Sequence, residues 1–160
     1  MFLKDFEIRW NDLDANRHLA NTSFAAFASN TRMALLSDIG FGHAFLEKHQ
    51  LGPVLFHEKM YYFKEFGPEE TVRVSLELAG LSPDGRFFEF VHNYFNAEGV
   101  NKARSLVMGA WMDLRTRKLT PLEKEPLAFY DAVPKAQNFR VLTSEDTRKE
   151  MQRPLDLQLN

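Results

Sequence analysis

The sequence predicts an α+β fold in which an antiparallel sheet of long strands wraps around one long apolar helix. Three observations carry this expectation. From Thr22 to Asp38 the only charged residues are Arg32 and the terminal Asp38, and apolar residues fall almost all round. A helix of that kind is expected to be buried rather than docked along one stripe. Four strand-like runs follow, Val54 to Phe66, Thr71 to Ser82, Arg86 to Asn96 and Lys102 to Arg115. In the second of them Val72, Val74, Leu76 and Leu78 alternate with Thr71, Arg73, Ser75 and Glu77, the period of a half-buried strand. Finally, Ser82-Pro83-Asp84-Gly85 and Ala97-Glu98-Gly99 read as hairpin turns, so the last three strands should pair antiparallel in sequence order.

In chain order, Phe2 to Trp10 reads as an opening strand, and Asn21, Thr22 and Ser23 are good N-cap residues for a helix beginning at Phe24. Gly40 stands where a glycine would end that helix. Phe41 to Pro53 then reads as a short second helix or irregular connector closed by Gly52-Pro53. After the strands the chain becomes polar. The expected division is a folded domain over residues 1–133 and, over 134–160, either a short helix around Ser144 to Gln152 or a loosely ordered polar tail.

Composition narrows the function classes. With 160 residues, 44% of them hydrophobic, one domain can bury its own core, and 15 phenylalanines, many of them in the strand-like runs, point to an aromatic one. A net charge of -2 without a basic groove disfavours nucleic-acid binding. The absence of cysteine excludes disulfides, thiolate nucleophiles and thiolate metal sites. The first ten residues carry Lys4, Asp5, Glu7 and Arg9, and no segment approaches the roughly 18 uninterrupted apolar residues of a membrane span. A soluble, cytoplasmic protein is expected.

Chemistry is concentrated in Trp10 to Asn21, WNDLDANRHLAN. Here two carboxylates, Asp12 and Asp14, a histidine, His18, and the unpaired amides of a helix start at Asn21 lie within a few residues, a plausible site for acyl transfer or hydrolysis. Each also has a plainer role: Asp14 as a turn former, His18 as a brace and Asn21 as a cap. Asp12, Asp14 and Asn16 match the first ligands of a calcium loop. Arg17 replaces its glycine and Ser23 its closing glutamate, so no metal is expected. Lys102, Arg104 and Arg115, with Arg117 and Lys118, are candidates for binding phosphates. No glycine-rich phosphate loop is present.

The strand, the pattern W-x-D-x-D-x-x-x-H-x-x-N, the apolar helix and the meander together resemble the hotdog-fold acyl-CoA thioesterases of the 4-hydroxybenzoyl-CoA thioesterase type. The resemblance runs from about Phe2 to Pro121, with Arg32 as a further match in the helix. It implies that Asp14 is the catalytic carboxylate, that Asp12 is structural, that His18 is the loop histidine many members carry, and that the backbone N–H near Asn21 polarises the thioester carbonyl. It further implies an acyl-CoA or acyl carrier protein thioester as substrate and no resident cofactor. The protein would be a homodimer or dimer of dimers joined edge to edge, with the pocket between subunits and the acyl group near Phe63, Phe88 or Phe90. Arg17 stands where a glycine is common, Ala20 where an asparagine is frequent, and Ser29-Asn30 where many relatives carry glutamates. An enoyl-CoA hydratase on the same fold and a non-catalytic acyl-CoA-binding module are the alternatives.

Overall fold

The structure, a computed structural model, describes residues 1–150 and 152–157. Its sheet is built outward from β3 (Thr71–Leu81), whose Val72, Val74, Leu76 and Leu78 are all buried beneath the long helix. β4 (Phe87–Phe95) and β5 (Asn101–Asp113) follow it antiparallel in sequence order, as the two hairpin turns require. β1 (Phe2–Glu7) and β2 (Leu51–Tyr62) occupy opposite edges, giving the order β1-β3-β4-β5-β2. A two-residue strand, β6 (Lys118–Leu119), adds to β5.

The β3 edge is shared. β1 pairs antiparallel with its first half, from Phe2 opposite Leu76 to Glu7 opposite Thr71. Its second half pairs in parallel with β7 (Lys135–Val141). Residues 134–160, read as a polar tail or short helix, thus contain a strand whose Ala136 is buried, followed by a buried Leu142 and one short helical turn at Asp146–Arg148. Met151, inside the helix expected around Ser144 to Gln152, lies outside the described residues. Leu142 seats against Gly80, where an added Cβ would come within 2.8 Å of its Cδ2.

The long helix, α1 (Asn21–Asp38), is present but not buried all round. Ser23, Phe24, Phe27, Ala28, Thr31, Leu35 and Leu36 face the sheet, while Thr22, Ala26, Ser29, Asn30 and Ser37 are exposed. The outer face is made of small uncharged residues, which look apolar in sequence yet need no burial. The helix starts three residues earlier than expected. Ala20 is the N-cap and makes no side-chain cap bond. α2 (His43–His49) forms the short second helix, ended by Gln50 in the left-handed region at φ 52°. Gly52-Pro53 does not close this connector, since both residues belong to β2. Pro53 is tolerated there because β2 is an edge strand.

Two apolar clusters line the underside of α1. Phe24 and Phe27 pack near its start with Phe66, Val72, Val74 and Tyr94. Leu35 and Leu36 pack farther along with Leu76, Phe88, Phe90 and Trp111. A third short helix, α3 (Lys124–Leu127), leads into a turn that places Phe129 and Tyr130 in the second cluster. Among the described residues no helix is long and apolar enough to cross a membrane.

Candidate active site

The loop between β1 and α1 is organised by its first aspartate. Asp12 is buried and Arg9 clamps it: Oδ2 accepts from the Arg9 amide at 2.9 Å and from Nε at 3.0 Å, and Oδ1 accepts from Nη2 at 3.2 Å. These bonds hold the Asp12 carboxyl below its usual range. The Asp12 carbonyl in turn accepts from the Ala20 amide at 2.8 Å and the Ser23 hydroxyl at 3.0 Å, docking the first turn of α1 onto the loop.

Asp14, two residues on, is exposed. Its amide donates to the His18 carbonyl at 2.8 Å and the Arg17 amide donates to its carbonyl at 3.0 Å, closing a tight turn. Oδ1 accepts from the Asn16 and His18 amides at 2.8 and 3.1 Å, the turn-forming use of an aspartate. Among the described residues Oδ2 has no hydrogen-bond partner, so one oxygen holds the turn and the other faces outward. Arg17 sits in the left-handed region at φ 61°, which explains why a glycine suits this position. His18 is exposed, and its ring makes no hydrogen bond among the described residues. Asn21 is the first helical residue, so its amide and that of Thr22 have no carbonyl four residues back to bond.

A separate cavity of about 180 Å³ opens between α1 and the sheet, bounded by Ser29, Arg32 and Leu36 on the helix, Leu55 on β2, and Phe88 and Trp111 across the floor. None of residues 12–21 lines it. Phe88 and Phe90 line it. Phe63 does not: it is exposed and borders a groove on the opposite face of the sheet.

Among the described residues Arg32 is the one charged residue lining the cavity, its side chain 14% exposed. Burial pushes the guanidinium below the usual arginine range, opposed by Glu58, whose Oε1 lies 3.8 Å from Nη2. Nη1 donates to His92 Nε2 at 3.1 Å, and His92 Nδ1 donates to the Ser75 carbonyl at 2.8 Å. Full burial, with the Arg32 charge beside it, lowers the imidazole to about 3, so His92 is neutral and its tautomer is set by the Ser75 bond. Arg32 was legible as the lone charge inside an apolar helix. His92, 60 residues away, carried no local signal.

The phosphate-binding candidates do not converge. Lys102 is spent on the Glu65 carbonyl and the Glu70 carboxylate, with its ammonium 4.8 Å from the centre of the Phe66 ring. Arg104 donates to Asn93 Oδ1 at 2.8 Å on the outer sheet face. Arg115 pairs with Asp113 just beyond the far end of β5, the opposite end from Lys102.

A curled antiparallel sheet packed on one helix, entered through a carboxylate-bearing turn, is the hotdog architecture of thioester hydrolases. The chain belongs to the thioesterase-like superfamily, whose family model matches residues 8–131, and it is a thioester hydrolase. No curated protein sequence matches it. Among solved structures it is similar to a DHNA-CoA thioesterase from Staphylococcus aureus (18% identity, 81% of this chain and 87% of that one, TM-score 0.73). A hypothetical protein from the same organism, solved in complex with CoA, is similar over 96% of this chain and 95% of that one (13% identity, TM-score 0.75). The probable thioesterase YbaW from Escherichia coli is similar over 84% of this chain and all of that one (18% identity, TM-score 0.70). At these identities the likeness establishes the hotdog fold.

Proposed function

We propose that the protein is a cytoplasmic acyl-CoA thioesterase whose working unit is a homodimer, with Asp14 as nucleophile or general base. The observation that carries this reading is the divided role of the Asp14 carboxylate, one oxygen bonded to its own turn and the other unbonded and exposed beside the start of α1. In hydrolysis the carboxylate either takes a proton from the water that attacks the thioester carbon, or attacks that carbon itself to form a mixed anhydride that water then cleaves; in both routes water supplies the proton that the thiolate gains. The amides of Asn21 and Thr22 receive the developing oxyanion, and the thiol leaves with a proton. His18 is placed to hand on that proton.

The cavity beneath α1 takes the acyl group. Because no residue of the Asp14 turn lines it, the carboxylate reaches the thioester across a subunit boundary. The open edge of β2 supports this arrangement, since it exposes Leu55, Phe56, Tyr61 and Tyr62 in a single chain and an unpaired edge invites another strand. Coenzyme A as the carrier is supported by the CoA bound to one structural relative. Arg104 and Arg115, both exposed, are the candidate phosphate contacts.

Thiol release from saturated acyl-CoAs tests the assignment. Asp14→Asn keeps both amide bonds to Oδ1 available and is expected to lower kcat at least about a hundredfold, the size of a lost general base, with an unchanged melting temperature. Undiminished turnover would remove Asp14 from the mechanism. Tight acyl-CoA binding without thiol release in the unaltered protein would favour a binding module instead.

A further inference from the structure

Arg32 is out of keeping with its surroundings. A guanidinium carries five N–H donors. Among the described residues only one of these has a protein acceptor within hydrogen-bond distance, the contact from Nη1 to His92. Glu58 offsets the charge at 3.8 Å, too far to accept a hydrogen bond from Nη2. The remaining wall is apolar, with Met33, Leu76, Phe88, Phe90 and Trp111 around the cavity. The donors left over are not sealed off but open onto the cavity, and holding a cation against such a wall costs stability that a methionine or leucine of similar reach would not. The neutral imidazole of His92 does not cancel the charge. It fixes one edge of the guanidinium and leaves the other donors directed away from that contact.

We propose that Arg32 determines substrate specificity by donating hydrogen bonds to a neutral oxygen, a ketone, ether or hydroxyl, on the distal part of a short or single-ring acyl group. The size follows from the cavity, about 180 Å³, since a dry cavity of about 150 Å³ accepts a benzene ring. The neutral charge follows from Glu58, which would repel a second carboxylate brought to the same guanidinium. This proposal rests on the cavity being the acyl site of the thioesterase reading above.

Two measurements separate the proposal from that reading. In the first, ligand-observed NMR compares cyclohexanone with cyclohexane binding to the unaltered protein, to Arg32→Met and to Arg32→Lys, with no hydrolysis involved. The ketone is expected to bind more tightly than the hydrocarbon. Arg32→Met should weaken the ketone alone by about ten- to a hundredfold, the usual worth of a hydrogen bond to a charged group, and Arg32→Lys should recover part of the loss. In the second, kcat/KM is compared for hexanoyl-CoA and its terminal-ketone analogue, 5-oxohexanoyl-CoA. Arg32→Met should lower the ratio in favour of the ketone by a similar factor. Equal losses for both members of each pair, in variants whose melting curves show a folded protein, would overturn the proposal and leave Arg32 a structural residue. Selective ketone binding without thiol release from either ester would uphold the recognition and reject the thioesterase reading.

Discussion

The Asp14 turn and the cavity under α1 handle polar groups in opposite ways. The turn is mostly local: apart from the Leu19 amide, which donates to the Phe66 carbonyl at 3.0 Å, the hydrogen bonds that shape it join residues between Arg9 and Ser23, and Asp14 Oδ2 is left without a partner among the described residues. The cavity is assembled from α1, β2, β3, β4, β5 and the turn after α3, and it buries a charge among apolar side chains. One region offers an exposed carboxylate without a pocket, the other a pocket without a carboxylate in its lining. On the reading proposed above, association of two chains brings the two regions together.

Subunit complementation is the strongest way to break that comparison. Asp14→Asn and Ser29→Trp, which plugs the cavity mouth, should each be nearly inactive alone. Mixed under conditions that exchange subunits, they should recover up to about a quarter of normal activity, because half the dimers are mixed and each carries one intact site. A mixture as inactive as its components would place turn and cavity in one protomer's site.

A smaller effect tests the buried charge. His92 is neutral in the folded state down to about 3, whereas an unfolded histidine takes up a proton near 6.5. Between these values the unfolded chain binds more protons, so stability must fall as pH falls, with a slope approaching 1.4 kcal/mol per pH unit. The groups facing the imidazole are the Arg32 guanidinium and the Ser75 carbonyl. Urea titrations from pH 7 to pH 4.5 should follow this slope in the unaltered protein and lose most of it in His92→Gln. A slope unchanged by the substitution would mean that another group carries it.

The smallest change concerns the turn. Arg17→Gly relieves a left-handed residue and gives back part of the gain as unfolded-chain entropy, so a net stabilisation of no more than about 1 kcal/mol is expected. Thermal melts check the sign. A destabilised glycine variant would mean that the Arg17 side chain contributes more than its backbone costs.

Much of this fold and part of its site can be read along the chain because the signals are local. The alternation in β3 needs only neighbouring residues, the turns at Asp84-Gly85 and Glu98-Gly99 fix the antiparallel order, and Asp12 to Asn21 is contiguous. Asp12 as a structural residue is visible in the same stretch, since its clamp, Arg9, is three residues away. β7 was hidden because its ladder is formed with residues far earlier in the chain and its own sequence is mostly polar. The outer face of α1 was misread because alanine and serine give no sign of which side meets the sheet.

By itself, then, the sequence determined β1, α1 and the strands of the meander, their hairpin order and a carboxylate-bearing turn, each set by spacings of a few residues. Tertiary structure decided which face of α1 is covered, that Gly52-Pro53 continues a strand, and that Arg32 meets His92 and Glu58 across three separate elements. The physical reason is range. Backbone turns and strand periodicity depend on adjacent side chains, whereas a cavity, and the unbonded donors of a cation inside it, exist only after distant segments have excluded water together.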